Sequence, residues 1–205
     1  MKSQKFYVVW KGRRRGIFTS WPECEAQVKG FVDAQYKAFD LRAEAERAFD
    51  SSYDDYKGKP ASTQRWLFAP NPPFLPSLCV DAACDGSPGR LEYRGVKTES
   101  GEQIFHAGPF NDGTNNVGEF LAVVLAFDWL SKHQLDMPVY SDSVNAIAWI
   151  QARRCNTKLA RLSSNRILFN FIADAEEILR VSKTLRIYKW DTQAWGENPA
   201  DFGRK

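Results

Sequence analysis

The 205-residue chain is short of several things, and each shortage removes a class of protein. No apolar run approaches the roughly 18–20 residues that span a bilayer, so a membrane-spanning helix is not expected. The basic stretch Met1–Phe6 leads into no apolar segment of the signal-peptide kind. A cytoplasmic setting follows as the expectation. There are only four cysteines, Cys24, Cys79, Cys84 and Cys155, and none is spaced as CxxC. Reduced structural thiols are expected rather than a disulfide framework or a zinc site. Histidine is scarcer still: His106 and His133 are the only two. They fall on the expected hairpin and at a helix end, and both read as surface groups. No internal repeat or low-complexity tract is visible, which excludes solenoids and propellers.

The net charge is only +3, with 43% hydrophobic and 26% charged residues, ordinary for a globular protein. Its distribution is more informative. Between Met1 and Pro22 there are six basic residues (Lys2, Lys5, Lys11, Arg13, Arg14, Arg15) and no acid. Basic residues interleaved with aromatics suit a polyanion; a solvated basic turn is the competing explanation.

Three segments separate by composition. Residues 1–50 are aromatic and basic, and their pattern predicts strand, turn, strand and helix: Phe6–Trp10, Ile17–Thr19, then a helix opening at Trp21-Pro22 and running to about Phe31. A short helix is expected over Leu41–Phe49. Residues 51–73 are rich in Ser, Asp, Gly and Pro and read as a linker, with Trp66, Leu67 and Phe68 apolar enough for part of it to dock. Residues 74–205 alternate strand and helix patterns. Strands are expected at Leu78–Ala83, Leu91–Thr98, Gln103–Phe110, Met137–Ser141 and Leu185–Trp190. Helices are expected at Asn116–His133, Asn145–Arg153, Arg166–Arg180 and Pro199–Lys205. This order predicts an α/β fold with a mixed sheet flanked by helices.

Acids fall where packing alone does not explain them. Asp81 interrupts an apolar strand, and Asp142 ends another. Glu119 shares a helical face with Val123, Ala126, Phe127 and Leu130 and so is directed at the sheet. A bare carboxylate there is costly unless a cation or hydrogen bonds satisfy it. Asp201 opens the expected terminal helix, where an acid is favoured by the helix dipole alone, and Glu197 precedes it. Grouped at one sheet edge, these acids would suit hard divalent cations; otherwise they are separate surface or capping residues.

Asp81 in CVDAACDGSPG, Glu119 in TNNVGEF, Asp142 in VYSDS and Asp201 in ENPADFGRK resemble, in order and spacing, the four acidic motifs of the type 1 ribonuclease H family. The resemblance spans about Leu78 to Lys205 and implies a five-stranded mixed sheet. It implies two Mg²⁺ (or Mn²⁺) ions held by Asp81, Glu119, Asp142, Asp201 and Glu197. It also implies hydrolysis of the RNA strand of RNA–DNA hybrids, leaving 5′-phosphate and 3′-hydroxyl ends. Gly86, Ser87, Asn115 and Asn116 would contact RNA; Thr114, Asn116, Thr157 and Thr192 match the family's DNA-phosphate pocket. FYVVWKGRRRGIFTSWPECEAQVKGFVDAQYKAF resembles the hybrid-binding domain that precedes many members, a small β-β-α unit with binding residues at Tyr7, Trp21, Tyr36 and Lys37. Where many members carry a histidine, Trp190–Asp201 has none, and Glu197 is expected to serve instead. The implied partner is the hybrid duplex, with no membrane and no obligatory protein partner, and a monomer is expected. A catalytically dead hybrid-binding protein and another polynucleotidyl transferase of the same fold are the alternatives. The four acids speak against the first, and the hybrid-binding segment against the second.

Overall fold

The computed structural model describes residues 4–57, 65–182 and 184–203. Lys2 of the basic segment and the final Arg204-Lys205 lie outside the described residues. The chain forms two compact units, Met1–Pro72 and Pro73–Lys205.

In the first unit, β1 (Phe6–Lys11) is flanked by β2 (Gly16–Phe18) and β3 (Gln35–Phe39), both antiparallel to it. The β-rich run FYVVWK explains β1. Strand β3 was not expected, and the unit is β-β-α-β-α rather than β-β-α. Its Tyr36 and Phe39 gain β-structure by pairing with the chain-distant β1, which local pattern cannot report. Helix α1 (Trp21–Val28) ends before Phe31. Ser20 caps it by accepting from the Glu23 N–H, and the Glu23 carboxylate accepts from the Thr19 N–H at 3.2 Å.

Alternate residues of β1 face opposite sides of the sheet. Val9 packs with Phe18, Cys24 and Val28 under α1. Val8 and Trp10 pack with Phe39, Ala45 and Ala48 under α2 (Arg42–Phe49). This second core does not stop at Asp50, where composition placed the module's end. Tyr53 and Tyr56 lie 5.4 and 5.9 Å from the Trp10 ring, and the Trp10 indole N–H donates to Ala48 and Ser51 carbonyls. Trp66, on a 3-10 turn over Arg65–Phe68, is buried as well. The aromatic residues within the polar linker thus belong to the first unit.

The second unit is a five-stranded sheet in the order β6-β5-β4-β7-β8. Strands β4 (Leu78–Gly86), β5 (Gly89–Lys97) and β6 (Gln103–Gly113) form an antiparallel meander. Strands β7 (Val139–Ser141) and β8 (Ile187–Lys189) add in parallel through crossovers. The β4–β5 turn is so tight that a Cβ on Gly89 would sit 1.9 Å from the Asp85 carbonyl oxygen. Helix α3 (Asn115–Lys132) lies against β4 and β5, with α4 (Val144–Gln151) and α5 (Arg166–Val181) beside it. It was expected to be amphipathic, but Val117 to Val124 is buried without interruption, because sheet and helices enclose it from several sides. The expected terminal helix is absent over residues 199–203: Pro199-Ala200 is a turn, and a four-residue helix, α6 (Thr192–Trp195), precedes it. Gly196 (φ 85°) ends α6 before the tail can continue it. All four cysteines are unpaired, and no helix among the described residues is long and apolar enough to cross a membrane.

Candidate metal centre and nucleic-acid interface

Asp81 reaches the site from the middle of β4, paired across the ladder with Arg94 of β5. Asp142 follows β7 directly, and Ser143 caps α4 by accepting from the Ala146 N–H at 3.1 Å. Glu119 is brought in by the close seating of α3. A Cβ on Gly118 would lie 2.4 Å from Leu91 Cδ1 and 2.7 Å from the Ala82 Cβ, so only glycine allows the helix this near the sheet. One carboxylate oxygen from each of Asp81, Glu119 and Asp142 falls within 4.8 Å of the others.

Burial pushes the Asp81 carboxyl up to about 7, with further upward pressure from Asp142, Asp201 and Glu119. Burial also pushes Glu119 up to about 7; Asp142 adds to this, while a Ser143 hydrogen bond and Lys189 oppose it. Asn115 Nδ2 donates to Glu119 Oε1 at 2.9 Å. Asp142 Oδ1 is buried and finds no hydrogen-bond partner among the described residues. Converging carboxylates with an orphaned buried oxygen fit a hard divalent cation, which would take up that oxygen and offset the burial, and secondarily the mutual repulsion, that lift the neighbouring pKa values.

Asp201 lines the same cavity of about 720 Å³ as the three acids and Asn115, though its carboxylate is not part of the 4.8 Å group. It is held by a turn rather than by the expected helix, with its N–H donating to Asn198 O at 2.8 Å. Glu197 is exposed and does not line the cavity.

A second cavity of about 730 Å³ gathers Ser87, Thr114, Asn116 and Thr157, four of the polar residues singled out in the sequence. It also brings in Asn145, Trp149, Asn156 and Lys158, which sequence reasoning did not select. The polar run Asn156-Thr157-Lys158 was the available signal. Gly86 (φ 104°) closes β4 beside Ser87. Thr192 is exposed on α6 and is not part of this cavity.

On the first unit, Tyr7, Trp21 and Tyr36 form a ladder, with ring centroids 5.7 and 5.9 Å apart. Trp21 and Tyr36 remain 41% exposed, leaving ring surface open on the α1 side. Lys37 does not join them. As the next residue along β3 it faces the α2 side, opposite Val8, and its ammonium donates to Tyr56 O at 2.8 Å. The basic turn is also partly structural: Arg13 donates to the Ala26 and Lys29 carbonyls at the end of α1, and Lys11 pairs with Asp33. Of the two histidines, both exposed, His133 stacks on Trp129, whereas His106 pairs with Glu92 at 2.8 Å and lies 6.3 Å from the Phe202 ring beside the acidic cavity; neither histidine lines that cavity.

Fold and site together define an α/β protein with a carboxylate cluster on a mixed five-stranded sheet, preceded by a small aromatic-faced unit. Residues 5–49 match the family model of the Ribonuclease H1 N-terminal domain. A ribonuclease H of Crithidia fasciculata is 47% identical over 53 residues, 26% of this chain and 10% of that protein. Ribonuclease H1 of Mus musculus is 44% identical over 63 residues, 29% of this chain and 22% of that protein. The chain thus spans less than a quarter of the length of these two relatives. Among solved structures, RNase H1 from the halophilic archaeon Halobacterium salinarum NRC-1 matches with a TM-score of 0.38 and 20% identity, over 56% of this chain and 83% of that one. The family model and the curated relatives support the resemblance to type 1 ribonucleases H with an N-terminal domain.

Proposed function

We propose that the chain is a metal-dependent endoribonuclease that hydrolyses the RNA strand of RNA–DNA hybrids, with products ending in 5′-phosphate and 3′-hydroxyl. The observation that carries the reading is the meeting of Asp81, Glu119 and Asp142 around a buried, unpartnered Asp142 oxygen. Asp81, Glu119, Asp142 and Asp201 would hold two divalent cations, Mg²⁺ or Mn²⁺. Bound there, such cations supply water activation and neutralise charge on the leaving oxygen. The protein's part is to converge the carboxylates before substrate arrives, with Asn115 and Ser143 orienting Glu119. No protein nucleophile is required.

Strand choice would fall to the groups around the acids. Gly86, Ser87, Asn115 and Asn116 would read the 2′-hydroxyls of the RNA strand. Thr114, Asn116, Thr157 and Lys158 offer hydroxyl, amide and ammonium donors suited to phosphates of the other strand. The Tyr7–Trp21–Tyr36 ladder would pack on nucleotides, as aromatic platforms do. Glu197 would act from the loop next to Asp201 once substrate is bound. The setting expected is the cytoplasm, the partner the hybrid duplex, and the working form a monomer.

The test is a panel of end-labelled duplexes: RNA–DNA hybrid, RNA–RNA and DNA–DNA, each with Mg²⁺, Mn²⁺ or EDTA. The proposal expects cutting of the hybrid alone, abolished by EDTA, with product ends that a ligase joins without prior kinase or phosphatase treatment. Cutting of the DNA duplex, or hybrid cutting that persists in EDTA, would overturn it.

A further inference from the structure

From Gly196 to Gly203 the chain forms no helix or strand, only the turn at Pro199-Ala200. Yet this stretch delivers Asp201 to the acidic cavity. Two side chains tie it to the sheet. Asn198 Nδ2 donates to Val80 O at 2.9 Å, one residue before Asp81. Arg94 makes the other tie: Nε donates to Ala200 O at 2.8 Å and Nη2 to Asp201 O at 2.6 Å. The Phe202 ring lies 4.6 Å from the guanidinium carbon, a cation–π distance.

The direction of those donors matters. Arg94 stands directly opposite Asp81 in the β4–β5 register, so both side chains leave the same face of the sheet. A guanidinium there has acids within its neighbourhood to neutralise. Instead, these donors go to the carbonyls of the two successive peptides that flank the Asp201 α-carbon. A planar fork making two such bonds fixes both peptides around Asp201 in place and in orientation, which a point charge does not.

We infer that Arg94 is a positioning residue: it clamps the Ala200–Phe202 backbone to β5 and so sets the Asp201 carboxylate at the edge of the three-acid cluster. This rests on the metal-dependent reading above. It adds that the fourth acid is placed from the sheet, by a residue that touches neither cation nor substrate.

The experiment compares wild type, Arg94→Ala, Arg94→Lys, Asp201→Ala and the double variant Arg94→Ala/Asp201→Ala in the full chain. Calorimetric Mn²⁺ binding and steady-state hybrid cleavage are measured, with thermal melting to confirm that each variant folds. Arg94→Ala should weaken Mn²⁺ binding and lower kcat by about 10-fold or more, the range typical of residues that orient a metal ligand from behind. KM for the hybrid should stay within about twofold. Arg94→Lys should recover only part of the loss, and the double variant should be no worse than Asp201→Ala, because both changes disable one element. Should Arg94→Ala bind Mn²⁺ and turn over like wild type while Asp201→Ala is impaired, the inference is overturned. Strictly multiplicative losses in the double variant, or a wild-type protein that binds no Mn²⁺, also overturn it. If wild type binds Mn²⁺ but cuts no hybrid, the functional reading fails while the binding arm still decides the role of Arg94.

Discussion

Asp81 and Glu119 sit where burial works against their charge. Both carboxyls are raised to about 7, above the roughly 4 expected of the unfolded chain. The sign follows from linkage. The metal-free fold favours their protonated forms, so the stability they allow is fully present below about pH 4 and is lost as pH rises through about 7. Asp81→Asn should therefore stabilise the metal-free protein at pH 8, by about 1–3 kcal/mol, with the gain vanishing near pH 4. Melting curves at the two pH values check this; equal effects at both would contradict it. The same groups must ionise to hold a cation, so Mn²⁺ affinity should rise steeply from pH 6 to 8. Titration calorimetry across that range reads it directly. Of the residues concerned, Asp81, Glu119 and Asp142 were legible in the sequence because each breaks an apolar pattern. Arg94 and Asn198 were not, since their role lies in contacts with chain segments over a hundred residues away.

Helix α3 shows what an element adds to its residues. The pattern gave its direction and its inward face, on which Glu119, Val123, Ala126, Phe127 and Leu130 are buried. It did not give the near-complete enclosure, because periodicity reports one face and not what covers the others. The approach of α3 to the sheet depends on Gly118. Gly118→Ala forces a methyl against Leu91 and Ala82, which should cost about 1–3 kcal/mol. It should also move Glu119 outward, weakening Mn²⁺ binding along with stability. Unchanged melting and unchanged binding would show that the helix has slack the packing does not suggest. Strand β3 and the loss of the terminal helix teach a related lesson. Gln35–Phe39 becomes a strand only by pairing with β1. Past the break at Gly196, Pro199–Gly203 forms a single turn that Asn198 and Arg94 tie to the sheet, rather than a helix of its own.

At the scale of the whole molecule, two compact units carry two kinds of chemistry: aromatic rings on the first, converging acids on the second. Tethering a binding unit to a cutting unit raises the effective concentration of substrate without changing the chemical step. Trp21→Ala, which removes the central ring of the ladder, should thus raise KM for the hybrid several-fold and leave kcat near wild type. A fall in kcat at saturating hybrid would contradict that division of labour. The change of character between the units was readable from composition, but the first unit's end was not. Tyr53, Tyr56 and Trp66 are apolar anchors inside a polar stretch, and only packing assigns them. The central claim is that the acid cluster is the seat of metal-dependent hybrid cleavage. Its most direct measurement is cleavage of a labelled RNA–DNA hybrid by wild type and Asp142→Asn in Mg²⁺, beside calorimetric Mn²⁺ binding by both. The account predicts that the substitution abolishes cutting and weakens Mn²⁺ binding while melting remains cooperative. Undiminished cutting by Asp142→Asn would contradict it.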